Sequence, residues 1–583
     1  MRNRSTPQNP QGSAGGRESA EAEADSAPWL ATRLAALRDS LRETGRVLRE
    51  KGPGQVQFWF IALVLGTAAG LVAMVFRLAI TALQSALYGT DDTLHIHTFA
   101  QTLPWYWIVL IPIAGGLVVG LLLDRFTRDA RVRSVSDVIQ GAALNDGRVE
   151  VKEGLVSAIA SWITLSSGGS SGREGPVVHL AGVLSTWVSN RIAADGVTGR
   201  DLLGCAVAAA VSASFNAPIA GALFAMEVIL RHFAVNAFAP IVIASVAGTV
   251  VSRLAFGDVT EFSLSTNTAL EFYVELPAYL ILGLLCGLVA VTLMRTIFWA
   301  DGFGTAIQQR IRLPRALRPA LAGGLLGGIA CFFPHIIGVG YETTTAALTG
   351  QLLLWEAVVF AVIKTAAVAV TMAGRMGGGM FSPSLMLGAL TGLAFGLIAT
   401  GIFPDVSGSE TVYALAGMGA VAAAVLGAPI STTLIVFELT GDWQTGLAVM
   451  VAVSMSTALA SRIVQRSFFL TQLHRRNIHL AAGPQAYLLS MVRVASLTRD
   501  TTEKGPATEQ ACWQLIEQGI YVDGAATLAS AMPVFDKGGV AFLPVVTLWS
   551  DGRPPELLGA LHHLDALKAY NSALAATAAE EHR

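Results

Sequence analysis

The chain has 583 residues, 53% of them hydrophobic and only 14% charged, with a formal net charge of −2. A soluble protein of this length would carry about 25% charged residues, so a water-soluble globular enzyme is excluded and a polytopic helical membrane protein is expected. The near-neutral balance provides no broad basic surface for nucleic acid, and Cys205, Cys286, Cys331 and Cys512 show no spacing for a zinc site or disulfide framework.

Residues 1–28 are rich in Ser, Gly, Pro and charge, which predicts a disordered tail. They lack the apolar core of a secretory signal peptide. Residues 29–50 place Trp29, Leu30, Leu34, Leu37, Leu41, Val47 and Leu48 among several arginines, the pattern of an amphipathic helix. It lies either on the membrane surface or packed on the protein. The membrane domain is expected over 51–465. Apolar runs at 56–87 and 103–123 are followed by segments near 154–168, 176–192, 202–213, 216–231 and 236–255. The second half repeats the theme near 272–298, 316–333, 352–373, 383–402, 411–425, 428–439 and 445–464. A simple span needs about 20 apolar residues. Many of these runs are shorter and broken by Gly or Pro, the pattern of transporters that place helix ends at a mid-membrane site.

Two echoes indicate a duplication, with copies over about 56–255 and 272–465. Asn216-Ala217-Pro218-Ile219, leading to Leu223 and Glu227, matches Gly427-Ala428-Pro429-Ile430, leading to Leu434 and Glu438, at an offset of 211 (429 − 218). Gly172 and Pro176 match Gly379 and Pro383, and Leu180 matches Leu387, at an offset of 207 (383 − 176). Sequence alone leaves open whether the copies run parallel or inverted.

Gly172-Arg173-Glu174-Gly175-Pro176 carries the chemistry. Pro favours the first turn of a helix, so Glu174 is expected at a helix N-terminus, where free N–H groups and the dipole attract anions. An ionisable residue at membrane depth is a functional candidate. Such a site holds either the carboxylate or a free anion, and the two compete.

With Phe215-Asn216-Ala217-Pro218 and Gly379-Met380-Phe381-Ser382-Pro383, this stretch resembles, in order and spacing, three signatures of the CLC family of chloride channels and proton-coupled chloride antiporters. The resemblance covers residues from about 56 to 465. It implies an all-α membrane fold of two inverted repeats of short, tilted, broken helices. It also implies a homodimer in the bilayer with one pore per subunit, and chloride as the permeating ion. Glu174 matches the gating glutamate. Gly175, Met380, Phe381 and Ser382 fall at the anion site, where backbone N–H groups of Met380 and Phe381 would coordinate chloride, and Arg173 braces the loop beside it. Phe381 occupies the repeat position of Glu174, so one copy carries the titratable gate and the other an apolar wall.

Three departures from the family pattern concern the inner half. Val132-Arg133-Ser134-Val135-Ser136 replaces a Gly-Ser-Gly-Ile-Pro stretch. Either Ser134 or Ser136 takes over the hydroxyl role at the inner entrance, or Arg133 places a cation there. The pore-lining tyrosine aligns with Trp443, whose indole has one N–H donor. Val228 stands where antiporters carry an inner proton-transfer glutamate, and Glu227 beside it reads as structural. Passive chloride conduction is the expected activity, with a chloride/proton antiporter using an altered inner proton route as the alternative. Lys364 and Arg375 either draw anions inward or pair with buried carboxylates, and His179 reads as a packed histidine. No Ser/His pair or metal-ligand cluster indicates an enzyme or a metal site, and no cofactor is required.

Residues 466–483 form a basic linker, expected on the cytoplasmic side, which would put both termini there, in a prokaryotic cell membrane. Residues 484–583 resemble a CBS module, with strands at Val540–Val546 and Glu556–Leu561 and a helix at Leu564–Leu574. Only one repeat is recognisable, so a degenerate cytoplasmic scaffold is expected in preference to a nucleotide site.

Overall fold

Helix boundaries in this computed structural model fall where glycine, proline and capping residues interrupt the apolar runs. The described residues run from 54 to 581, with breaks at 91, 93–94, 193, 195, 258–271, 405, 479, 481–488, 490–491, 502–505, 525 and 548–554. The tail expected over 1–28 and the amphipathic helix expected over 29–50 lie outside them.

The first half contains α1 (Gln55–Tyr88), α2 (Ile96–Ala100), α3 (Trp105–Phe126), α4 (Val135–Leu144), α5 (Val151–Ser166) and α6 (Glu174–Arg191). It continues through α7 (Gly196–Phe215), α8 (Pro218–Phe224), a π-turn over Ala225–Leu230, and α9 (Val235–Phe256). The second half contains α10 (Phe272–Arg310), α11 (Arg318–Phe332), α12 (Tyr341–Leu348), α13 (Leu354–Ala373) and α14 (Phe381–Ile402). It ends with α15 (Glu410–Leu426), α16 (Pro429–Thr440) and α17 (Trp443–Ile463). Among the described residues, seven helices are long and apolar enough to cross a membrane. The chain is an integral membrane protein.

Close helix contact depends on small residues, as membrane packing requires where lipid offers no hydrophobic drive. A Cβ on Gly392 of α14 would lie 2.1 Å from the Tyr413 carbonyl of α15, and one on Gly248 of α9 would lie 2.4 Å from the Ala209 carbonyl of α7. Nearly every residue of α7 and all but the first of α15 are buried, so these two helices form the core of the two halves.

The repeat is visible as a reciprocal exchange of caps. Pro218 and Pro429 start α8 and α16 and leave the following N–H groups without helical partners. Glu227 accepts from Ile430 N (2.9 Å) and Ser431 N (2.8 Å) at the start of α16. Glu438 accepts from Ile219 N (3.0 Å) and Ala220 N (2.8 Å) at the start of α8. Each half therefore caps the other with the residue its partner uses in return. Such a relation fits two copies facing each other across a pseudo-twofold axis.

The basic stretch after Arg462 is not a plain linker: Phe468–Arg475 folds as α18, with Phe468, Phe469 and Leu473 turned into the protein. Beyond it lies a three-stranded sheet. β1 (Val522–Asp523) pairs parallel with β2 (Phe542–Thr547), and β2 pairs antiparallel with β3 (Glu556–His562). Helices α19 (Glu509–Glu517), α20 (Leu528–Gly538) and α21 (His563–Glu581) accompany it, around Val522, Leu528, Phe535, Leu543, Val545 and Leu561. This is a small CBS-like α/β segment. Arg493 bonds Asp146 at 2.7 Å, tying the segment to the turn after α4. The face it occupies is called inner below.

The exchanged caps predict a symmetric energetic signature. Glu227→Ala and Glu438→Ala should each destabilise the purified protein by about 1–2 kcal/mol, the scale of a lost N-cap. Thermal unfolding in detergent should show similar losses for both, and unchanged melting for either would refute its capping role.

Candidate functional site

The site begins with two glycines. Gly172 N donates to the Gly379 carbonyl (2.8 Å) and Gly379 N donates to the Gly172 carbonyl (2.6 Å), a short antiparallel bridge between the repeats. α6 and α14 start two residues beyond, at Glu174 and Phe381, so two helix N-termini meet inside the protein. The approach is backbone to backbone: a Cβ on Gly379 would lie 2.8 Å from Gly175 N. Gly377 and Gly378 take φ of 106° and 114°, which side-chain-bearing residues rarely adopt.

Glu174 is 2% exposed, and its carboxylate folds onto the start of α14. Ser382 Oγ donates to Glu174 Oε1 at 2.5 Å, and the Ser382 backbone N–H faces the same carboxylate. The Tyr341 hydroxyl points at Oε1 from 3.5 Å. The Arg173 guanidinium stacks over the Tyr341 ring (5.1 Å) and reaches the Ser214 carbonyl (3.5 Å). Arg173 thus braces the loop and adds positive potential. The repeat counterpart, Phe381, packs on Phe215 (4.6 Å between centroids) and Phe224 (5.6 Å), forming an apolar wall from both halves. Met380 and Gly175 lie buried in the same crossing.

Two cavities approach the crossing. One of about 240 Å³ reaches Arg173 and Tyr341. The other, about 130 Å³ on the inner side, is lined by Ser134, Gly377, Gly378, Phe468 and four arginines. Ser134 is the N-cap of α4, and its own N–H donates to Asp137 Oδ2 (2.8 Å). Its neighbour Arg133 turns away into a cage of carboxylates. It bonds Glu153 through Nε at 2.8 Å, meets Asp129 at 3.3 Å, and lies 3.7 Å from both Asp137 and Glu150. Of the three residues considered for the inner entrance, Ser134 lines the cavity, Ser136 is fully buried with its Oγ 3.4 Å from Ser134 Oγ and from Asp137 Oδ2, and the Arg133 charge is consumed by acids.

Trp443 is corrected by the structure. It is the first residue of α17, 66% exposed, and lies edge-on to Phe437 (6.0 Å) away from the crossing. Asp442 caps that helix through Thr445 N (2.8 Å), which explains the local sequence without a pore. The aromatics lining the inner cavity are Phe298 of α10 and Phe468, at the start of α18. The signal of Phe468 was a Ser-Phe-Phe sequence opening a short amphipathic segment after the last apolar run. Tyr341 was also missed; its mark was Gly338-x-Gly340, both glycines at positive φ, ahead of a short helix. Among the described residues, Lys364 pairs with no carboxylate. Its Nζ donates to the Ile336 (3.3 Å), Gly338 (3.1 Å) and Val339 (3.5 Å) carbonyls, holding the loop that presents Tyr341. His179 packs against α5 at Gly154, where an added Cβ would lie 2.7 Å from the ring.

A family model described as "Voltage gated chloride channel" matches residues 115–461. A ClcB-like chloride channel protein of Ralstonia nicotianae is 32% identical over 397 residues, covering 67% of this chain and 91% of that protein. Chloride channel protein CLC-f of Arabidopsis thaliana is 31% identical over 432 residues, covering 70% of this chain and 54% of the plant protein. Among solved structures, a slow cyanobacterial Cl−/H+ antiporter superposes with a TM-score of 0.64 at 20% identity, covering 73% of this chain and 98% of that one.

The backbone crossing makes a sharp prediction. Gly379→Ala should abolish monodisperse folded protein or lower its stability by about 3 kcal/mol or more, because a backbone atom stands in the way. Gly302→Ala, with open space around its Cβ position, should leave size-exclusion behaviour and melting unchanged or slightly improved.

Proposed function

The chain belongs to the voltage-gated chloride channel (CLC) family, and on that premise we propose that it conducts chloride passively across a membrane through a pore gated by Glu174. The observation that carries this reading is the carboxylate seated on the start of α14, at hydrogen-bond distance from Ser382 Oγ. A dehydrated anion needs N–H and O–H donors without a full charge that would trap it, and helix N-termini supply them. The Glu174 carboxylate fills that environment as a tethered anion. Chloride displaces it by competition, and protonation releases it by removing its charge. Chloride flux therefore rises as pH falls.

Passive conduction is supported by the inner half. Glu227 is committed to capping α16, and Val228, buried in the π-turn, has no proton to pass. A coupled exchanger is the second reading. It is favoured by His179, a titratable side chain buried on α6 beyond the gate and packed against Gly154 of α5, and by the antiporter described among the fold neighbours. Ser134 lines the inner entrance in either case.

A homodimer with one pore per subunit is part of this reading, and exposed apolar residues beside the exchanged caps support it. Ile219 and Ile430 stand exposed at the helix starts where Glu438 and Glu227 bind. Carboxylates so close to hydrocarbon are costly, and a second subunit covers them better than lipid. The CBS-like segment and the inner cavity face the cytoplasm of a prokaryotic cell.

Purified protein in liposomes under a chloride gradient, with external pH recorded, separates the readings. Chloride flux without proton movement is the expected result; uphill proton movement would establish exchange instead. Glu174→Gln should conduct at least as fast as the parent, with its pH dependence lost. Loss of flux in a folded Glu174→Gln protein would refute the gate.

A further inference from the structure

The inner cavity carries more positive charge than a chloride entrance needs. Arg131, Arg375, Arg475 and Arg476 line it. Arg476 pairs with Asp137 at 2.7 Å, but Arg131, Arg375 and Arg475 form no ion pair among the described residues. The one carboxylate of the lining, Asp301, is held by Arg318 at 3.1 Å. Burial and the neighbouring Arg318 and Arg131 pull the Arg375 pKa down to about 10, so positive charge is crowded there.

Two of the three guanidiniums without an ion pair are held by the protein. Arg475 Nη1 donates to the Phe298 carbonyl (2.9 Å) and its guanidinium stacks over the Phe298 ring (4.7 Å). Arg375 sits at φ 57° in the loop leading to Gly377, with Nη1 on the Asp129 carbonyl (3.4 Å). The Nε atoms of Arg375 and Arg476 are buried without a hydrogen-bond partner. A planar guanidinium offers a fork of donors that matches two oxygens of one anion, a feature monatomic chloride leaves unused. The cavity of about 130 Å³ is several times the roughly 10–15 Å³ that one water needs, room for one tetrahedral anion of five heavy atoms.

We propose that the inner mouth binds a divalent tetrahedral oxyanion, a phosphate or sulfate group, between Arg131, Arg375 and Arg475, and that this occupant blocks chloride from the inner side. Ser134 and Gly378 line the same cavity, so an oxyanion there stands across the path to the crossing. The inference rests on the pore assignment above. It makes chloride flux answer to phosphoryl or sulfuryl anions on one face of the membrane.

The test uses the full chain in planar bilayers at constant ionic strength, with sulfate, inorganic phosphate or ADP added to one compartment at a time. Inhibition from one side only, relieved by chloride on that side, is expected. Arg375→Gln and Arg475→Gln should each raise the half-inhibiting concentration by about tenfold or more, the loss expected for a charge-assisted bond. Sulfate should also raise the melting temperature of the detergent-solubilised parent and not of Arg375→Gln, a reading independent of flux. Inhibition by sulfate and inorganic phosphate identifies the free ion as ligand. Inhibition by ADP alone identifies the phosphate end of a nucleotide. Equal inhibition by gluconate, or block unchanged in both variants, overturns the proposal. If the parent carries no chloride current, the pore assignment fails, while the melting measurement still reads the oxyanion site.

Discussion

Two helix N-termini held together by the Gly172–Gly379 bridge are the constraint on which the rest depends. Each terminus carries free N–H groups and about half a unit of positive charge. Buried away from water, such charge acts through a low effective dielectric and calls for an anion. The Glu174 carboxylate answers that demand from within the chain. Since the attraction belongs to the crossing and not to any one residue, a diffusible anion can replace the carboxylate. In the proposed function, gating is then an exchange of one anion for another at a fixed set of donors.

The duplication explains both the symmetry and its useful defect. The helix starts at Glu174 and Phe381 are equivalent, as are the caps Glu227 and Glu438. In the caps, both copies keep the carboxylate, because each must satisfy the opposite helix. At the crossing, one copy keeps the carboxylate and the other carries Phe381 packed on Phe215 and Phe224. Two carboxylates in one buried site would repel each other. One carboxylate against an apolar wall is the arrangement that the proposed single gate requires. Lys364 contributes by fixing the loop that brings Tyr341 to the Glu174 carboxylate.

What the sequence revealed follows from where information is local. Pro176 and the glycines around Glu174 announce a helix start, and the offset of 207 pairs Gly172 with Gly379, the two residues that bridge. Short, broken apolar runs announced a fold with helix ends at membrane depth. Trp443 was misplaced because it follows the duplicated Glu438 segment closely, whereas the chain reaches the inner cavity only one helix later, at Phe468. The fate of Arg133 was illegible for a different reason. Glu150 and Glu153 lie some twenty residues away, and only the fold, which brings the start of α5 back to the segment ahead of α4, turns them into its cage. The crowding of Arg131, Arg375, Arg475 and Arg476 is likewise a product of three-dimensional convergence, from segments that share no local pattern.

The most direct test of a tethered rival to chloride is to locate an anion where the carboxylate rests. Crystals of Glu174→Gln grown in bromide would show its position by anomalous scattering. Tethered-anion gating predicts a bromide peak against Ser382 Oγ and its N–H, absent from the parent at the same concentration. A Glu174→Gln crystal with that place empty, or a parent crystal with bromide and the carboxylate there together, would contradict it.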